Sequence, residues 1–214
     1  GIAGLGFEKL VYGGLTKVFA GIVIAPIGGL IVGLLLTGLI ITVFAKRRPA
    51  PVNKVFGKLQ IISSAWFALT HGANDGQKTM GIIALILFSA GLIPELEIPL
   101  WVIFAAAAAM GLGTFFGGYK VIKTLGVKIT RLRPYQGFAA ETGGGLMLAA
   151  FAILGIPAST THAITGTIMG AGAARRKLAV RWKVSRQIVF SWIITIPGAA
   201  AMGIGFTYLI HLFV

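Results

Sequence analysis

Acidic residues are scarce in this sequence: five Asp and Glu stand against nineteen Lys and Arg over 214 residues, and only 11% of the chain is charged. A soluble domain needs a charged shell. So few charges, with 57% hydrophobic residues and a mean hydropathy of +0.92, exclude one. Cysteine is absent, which rules out disulfides and thiolate metal sites. No stretch reads as a soluble domain, a linker or a low-complexity tail, no secretory signal peptide is found, and no internal duplication appears. No nucleophile, base and orienter fall at a spacing that assembles an active site, which argues against an enzyme. Nothing resembles the carbonyl filter of a selective channel.

What is present is a series of long apolar runs. Stretches able to cross ~30 Å of hydrocarbon as roughly 20 residues of helix are read at about Leu15 to Phe44, Leu59 to Ile93, Leu100 to Tyr119, Tyr135 to Leu154, Pro157 to Ala174 and Gln187 to Phe213. The fifth is short and polar enough to be re-entrant or partly spanning. The net charge of +14 does not indicate nucleic-acid binding, because the basic residues fall in clusters between apolar runs rather than over a soluble face. Lys46, Arg47, Arg48, Lys54 and Lys58 follow the first run, Lys120, Lys123, Lys128, Arg131 and Arg133 follow the third, and Arg175, Arg176, Lys177, Arg181, Lys183 and Arg186 follow the fifth. If every run crosses, these clusters share one side, the cytoplasmic one, and both termini face outward. The loop with Glu95 and Glu97 carries no base and belongs outside. The expected fold is all-α: one integral, polytopic membrane domain over residues 1 to 214, with discontinuous and re-entrant helices. Glycines four apart at Gly29 and Gly33, Gly113 and Gly117, and Gly166 and Gly170 provide for close helix contacts.

Two polar interruptions carry the chemistry. His71 to Thr79 interrupts the second run with Asn74, Asp75, Gln77 and Lys78, and an ionised side chain at the centre of a spanning helix costs about 2.5 to 3.5 kcal/mol, so these residues need a partner or a wet cavity. Gly72 and Gly76 permit a break there. Freed carbonyls, the Asp75 carboxylate and the Asn74 and Gln77 amide oxygens would then make a hard-cation site at Asp75. A local Asp75–Lys78 pair across one helical turn is the structural alternative; for His71 the default is helix packing. The second interruption is Gly155 to His162. Pro157 reads as a helix opening, with Ser159, Thr160 and Thr161 in the first turn. Their hydroxyls, the unpaired N–H groups and the positive end of the helix dipole suit an oxyanion such as phosphate, against the alternative of simple capping. His162 is open between proton handling and packing. Glu141 lies about 10 Å along the fourth run from Pro134, followed by Thr142 and Gly143 to Gly145, and is either a second cation or proton site or a partner for Arg133.

In the order Gly72-Ala73-Asn74-Asp75, then Pro157-Ala158-Ser159-Thr160-Thr161-His162-Ala163-Ile164-Thr165-Gly166, these motifs resemble the inorganic phosphate transporter (PiT) family, across essentially the whole chain and in particular its second inverted repeat. The resemblance implies phosphate symport with sodium or a proton as the co-transported ion and no other cofactor. It further implies a phosphate site at Asn74, Asp75, Ser159, Thr160 and Thr161, cation ligands among Asn74, Asp75, Thr160 and Glu141, and location in a prokaryotic inner membrane. Gln77 and Lys78 depart from some members, which leaves the coupling ion open, and the family includes a sulfate-transporting branch. Full members carry each motif twice and this sequence carries each once. Together with Gly1 as the first residue, this leads to the expectation of a fragment or separated half completed by a partner repeat or a second copy. Inverted insertion of identical chains conflicts with the basic-loop bias. A half that only scaffolds its partner is the rival from another class.

Overall fold

The buried residues of the first helix, α1 (Tyr12–Val43), are Gly21, Ala25, Gly29, Gly33 and Thr37, one small residue every four positions on a single face. Such a stripe lets another backbone come close in lipid. It receives α5 (Thr160–Ala173), itself buried over most of its length. A Cβ on Gly29 would stand 2.6 Å from the Ala163 carbonyl oxygen, and one on Gly33 would collide with the Thr167 backbone. Reciprocally, Gly166 and Gly170 lie against the carbonyls of Pro26 and Leu30. The glycine pairs of α1 and α5 are therefore two halves of one contact. Gly113 and Gly117 are not, because nothing among the described residues comes within 4 Å of a Cβ at either.

The computed structural model describes residues 11–175 and 179–212; Gly1, Arg176, Lys177 and Phe213, named above, lie outside them. Between α1 and α5 come α2 (Pro49–Ser89), α3 (Leu100–Lys123), a π-helical turn (Thr124–Ile129) and α4 (Pro134–Ile153), and α6 (Trp182–His211) follows. No strand occurs among the described residues. Three helical stretches, Tyr12–Val43, Leu100–Ile129 and Trp182–Ile210, are long and apolar enough to cross a membrane. α5 has 14 residues, about 21 Å at 1.5 Å per residue, too short to cross ~30 Å of hydrocarbon, as its polarity led us to expect.

α2 departs from expectation twice. It starts at Pro49, ten residues before the apolar run, because Pro at the first helical turn forfeits no hydrogen bond and fixes φ for the helix. Lys54 and Lys58 therefore lie on a helix and not in a loop. It also runs unbroken through Gly72 and Gly76 to Ser89, 41 residues in all. The polar side chains of its middle find partners on other elements, so the backbone has no need to open.

α4 packs between α1 and α2 through its glycine patch: Val32 of α1 faces Gly143, Phe67 of α2 faces Gly144, and Trp66 faces Gly145. It ends in a Schellman turn. Gly155 takes φ +60°, the Ile156 amide reaches the Phe151 carbonyl at 2.9 Å and the Gly155 amide the Ala152 carbonyl at 3.2 Å. This turn swings the chain into the extended residues before α5. Two apolar clusters brace α5 at its ends, Ile129, Ala140, Met169 and Val180 at one and Ala25, Leu148, Phe151 and Ala158 at the other. The basic segments gather at one end of the bundle, as the charge pattern requires: Arg47 and Arg133 line one cavity, and the Arg181 amide donates to the Ile129 carbonyl at 2.8 Å.

Candidate functional site

The α4–α5 turn delivers the second motif to the first. Helix α5 opens at Thr160, three residues later than Pro157 suggested, with Ser159 as its N-cap: the Ser159 hydroxyl accepts from the His162 amide at 3.4 Å. The Thr160 hydroxyl leaves its own helix and donates to Asp75 Oδ2 at 2.9 Å, joining positions 85 residues apart. Asp75 also takes His71 Nε2 at 3.0 Å on Oδ2 and Lys78 Nζ at 3.1 Å on Oδ1. Its side chain is 28% exposed, so it is enclosed but not sealed. The one-turn Asp75–Lys78 ion pair exists, and Lys78 Nζ also donates at 2.8 Å to the carbonyl oxygen of Ala158.

The three hydroxyls of α5 thus divide their tasks. Thr160 ties α5 to α2, Ser159 caps, and exposed Thr161 turns into a crevice of ≈ 270 Å³ lined by Ile22, Ser159, Thr161, His162, Trp192 and Thr195. The His162 ring packs on the Trp192 indole with centroids 3.9 Å apart. His162 Nδ1 is buried without a hydrogen-bond partner among the described residues. The Thr160 and Thr161 amides have no intrahelical acceptor, as in the first turn of any helix, and Ser159 and Thr161 line this crevice at the positive end of the dipole.

Asn74 faces the other way. Its Nδ2 donates to the Thr70 carbonyl at 3.0 Å and across to the Leu148 carbonyl of α4 at 3.4 Å, so it sets the seat of α2 on α4 one residue from Asp75. Gln77 is exposed on the next turn. Glu141 does not meet Arg133: its carboxylate accepts from Ser63 Oγ at 2.6 Å and from Gln60 Nε2 at 3.2 Å, both on α2. The glutamate is therefore held on the same helix interface as Asn74, while Asp75 looks to α5.

Gln60, Ser63, Trp192 and Thr195 were not singled out from sequence. For the first two a signal exists. Gln60, Ser63, Phe67, Thr70 and Asn74 recur at spacings of three and four, one face of α2, and four of the five are polar in an otherwise apolar run. Nothing in the sequence brings α6 to the α5 N-terminus.

Comparison with known proteins gives a consistent result. A family model described as the phosphate transporter family (PHO4) matches residues 1–203. A relative from Rhizobium meliloti (strain 1021), named a probable low-affinity inorganic phosphate transporter, is 49% identical over 201 residues, which cover 94% of this chain and 60% of the relative. One of the same name from Bacillus subtilis (strain 168) is 39% identical over 203 residues, covering 94% and 61%. The chain thus spans about 60% of the length of these relatives. Among solved structures, one titled the sodium-dependent phosphate transporter superposes with a TM-score of 0.83 over 100% of this chain and 71% of that one, at 23% identity.

Proposed function

This chain belongs to the phosphate transporter family, a family of carriers rather than enzymes, and from that premise we propose that it forms the substrate-binding part of a membrane carrier for inorganic phosphate, driven by a co-transported sodium ion or proton. The observation that carries the reading is the Thr160–Asp75 hydrogen bond at 2.9 Å, which sets a helix N-terminus rich in hydroxyls and free amides against an intramembrane carboxylate and ammonium. The amides and the hydroxyls of Ser159 and Thr161 receive the oxyanion, and Lys78 adds a positive charge beside it. Bare Asp75 would repel that anion: like charges 4 Å apart cost about 4 kcal/mol at an effective dielectric of 20. Positive charge at Asp75, and at the second carboxylate Glu141, is what makes occupancy favourable, and this links anion to cation. Each motif is present once, so the complete carrier takes its other half from a partner repeat or a second copy. The bacterial origin of these relatives supports a prokaryotic inner membrane as its location.

Radiolabelled phosphate uptake into proteoliposomes holding the complete carrier tests the reading. Uptake stimulated by an inward sodium or proton gradient and competed by unlabelled phosphate more strongly than by sulfate is expected; leak independent of any gradient contradicts it. Glu141 separates structure from coupling. Glu141→Ala takes the carboxylate from Gln60 and leaves Ser63, which is 4% exposed, only the Gln60 carbonyl of its own helix, and costs about 1 kcal/mol or more of stability, read as a lower unfolding midpoint in detergent. Glu141→Gln keeps an acceptor and the shape, so it retains the midpoint but loses gradient stimulation of uptake.

A further inference from the structure

Spacing alone accounts for a Lys78–Asp75 pair, but not for where the ammonium goes next. Lys78 Nζ bridges Asp75 Oδ1 at 3.1 Å and the Ala158 carbonyl oxygen at 2.8 Å. Ala158 lies in the non-helical residues immediately before the N-cap, where no helix claims its carbonyl. A carboxylate oxygen and a free backbone carbonyl converging on one point are the oxygen donors that a hard metal cation takes. Here a nitrogen of the chain occupies that point.

We propose that the Lys78 ammonium stands in for a sodium ion at the junction of the two motifs, so that the anion binds beside Asp75 with no sodium at that position. This rests on the phosphate reading and narrows its cation: any sodium the carrier takes up binds away from Asp75, Glu141 being the other carboxylate held between α2 and α4. A tethered ammonium is present at an effective concentration on the order of millimolar or above whatever the ionic composition of either face. It neutralises Asp75 and pins α2 to the segment before α5, yet it cannot be released to the far side, so this position contributes charge and no gradient energy. Of the three N–H donors of the ammonium, two are committed and the third remains for an anion oxygen. The 46% exposure of the Lys78 side chain leaves that donor accessible.

The test counts bound sodium and bound phosphate on the complete carrier in nanodiscs, using radioactive sodium, inorganic phosphate, and N-methylglucamine as the inert replacement cation. In Lys78→Ala the count rises by one sodium over wild type, and adding Asp75→Asn removes it again. Phosphate affinity of Lys78→Ala falls at least about tenfold below that of wild type in N-methylglucamine, and sodium brings it back to the wild-type value measured in sodium. An unchanged sodium count in Lys78→Ala, or an unchanged phosphate affinity without sodium, overturns the proposal. Should Lys78→Ala fail to fold, Asp75→Asn in the otherwise wild-type protein decides: the sodium count stays the same if Lys78 fills the site, and loss of a bound sodium overturns it. Because the sodium counts are taken without phosphate, failure of wild type to bind phosphate would sink the transport reading while leaving this test intact.

Discussion

Asp75→Asn reduces phosphate uptake to background while the protein still inserts and folds, with a lowered unfolding midpoint. The change is nearly isosteric, so its effect isolates the charge. In wild type the carboxylate organises three donors from two elements: His71 and Lys78 on α2 and Thr160 on α5. Hydrogen bonds to a charged group contribute about 1.5 to 3 kcal/mol each, roughly twice a neutral one. With Asn in place, Thr160 keeps at best a neutral acceptor and Lys78 retains only the Ala158 carbonyl, so the α5 N-terminus loses the anchor that holds it against α2. Phosphate affinity is expected to drop at least about tenfold, equivalent to 1.4 kcal/mol or more. Unchanged binding with assembly intact would mean that the polar residues serve only to scaffold a partner half.

Packing sets the second large effect. Gly170→Val or Gly33→Val separates α1 from α5, because the atoms in the way are backbone: the Leu30 carbonyl carbon 2.9 Å from a Cβ on Gly170 and the Thr167 Cα 2.8 Å from one on Gly33. A side-chain tip could swing aside; a helix backbone cannot. Overpacked cores ordinarily lose about 1 to 3 kcal/mol, and rigid obstacles put these substitutions at the upper end or beyond. Since α5 carries Ser159, Thr160 and Thr161 at one end, the displacement reaches the site as well. Thermal unfolding in detergent should show a sharp loss for either variant, with phosphate binding lost in whatever protein remains folded. Gly113→Ala, whose Cβ meets nothing within 4 Å in this chain, is expected to leave the midpoint nearly unchanged.

These effects bear on what the sequence reveals. The two polar interruptions were legible because Asp75, Lys78 and three consecutive hydroxyls are unexpected in apolar runs, and the bilayer gives such groups nowhere to go except to each other. The glycine spacing of α1 and α5 likewise announced a close contact. The continuity of α2 was not legible. Gly72 and Gly76 looked like places to break, yet a helix breaks only when its polar groups are better served outside it, and Asp75 and Asn74 are served by side chains and by α4 and α5. The start of α2 was hidden because Lys54 and Lys58 group with the basic loop after the first apolar run, although Pro49 suits a first helical turn. Glu141 was visible as a buried carboxylate, but Gln60 and Ser63 stand 81 and 78 residues away, a distance over which only tertiary packing chooses between them and Arg133.

The central claim is that one oxyanion sits where the N-terminus of α5 meets Asp75 and Lys78. An anomalous-difference map of the complete carrier crystallised with arsenate, a phosphate mimic whose arsenic can be located unambiguously, tests it most directly. The expected peak lies within hydrogen-bonding reach of the Ser159 and Thr161 hydroxyls and the first-turn amides of α5, beside the Lys78 ammonium. A peak elsewhere in the bundle, with this junction empty, would contradict the account.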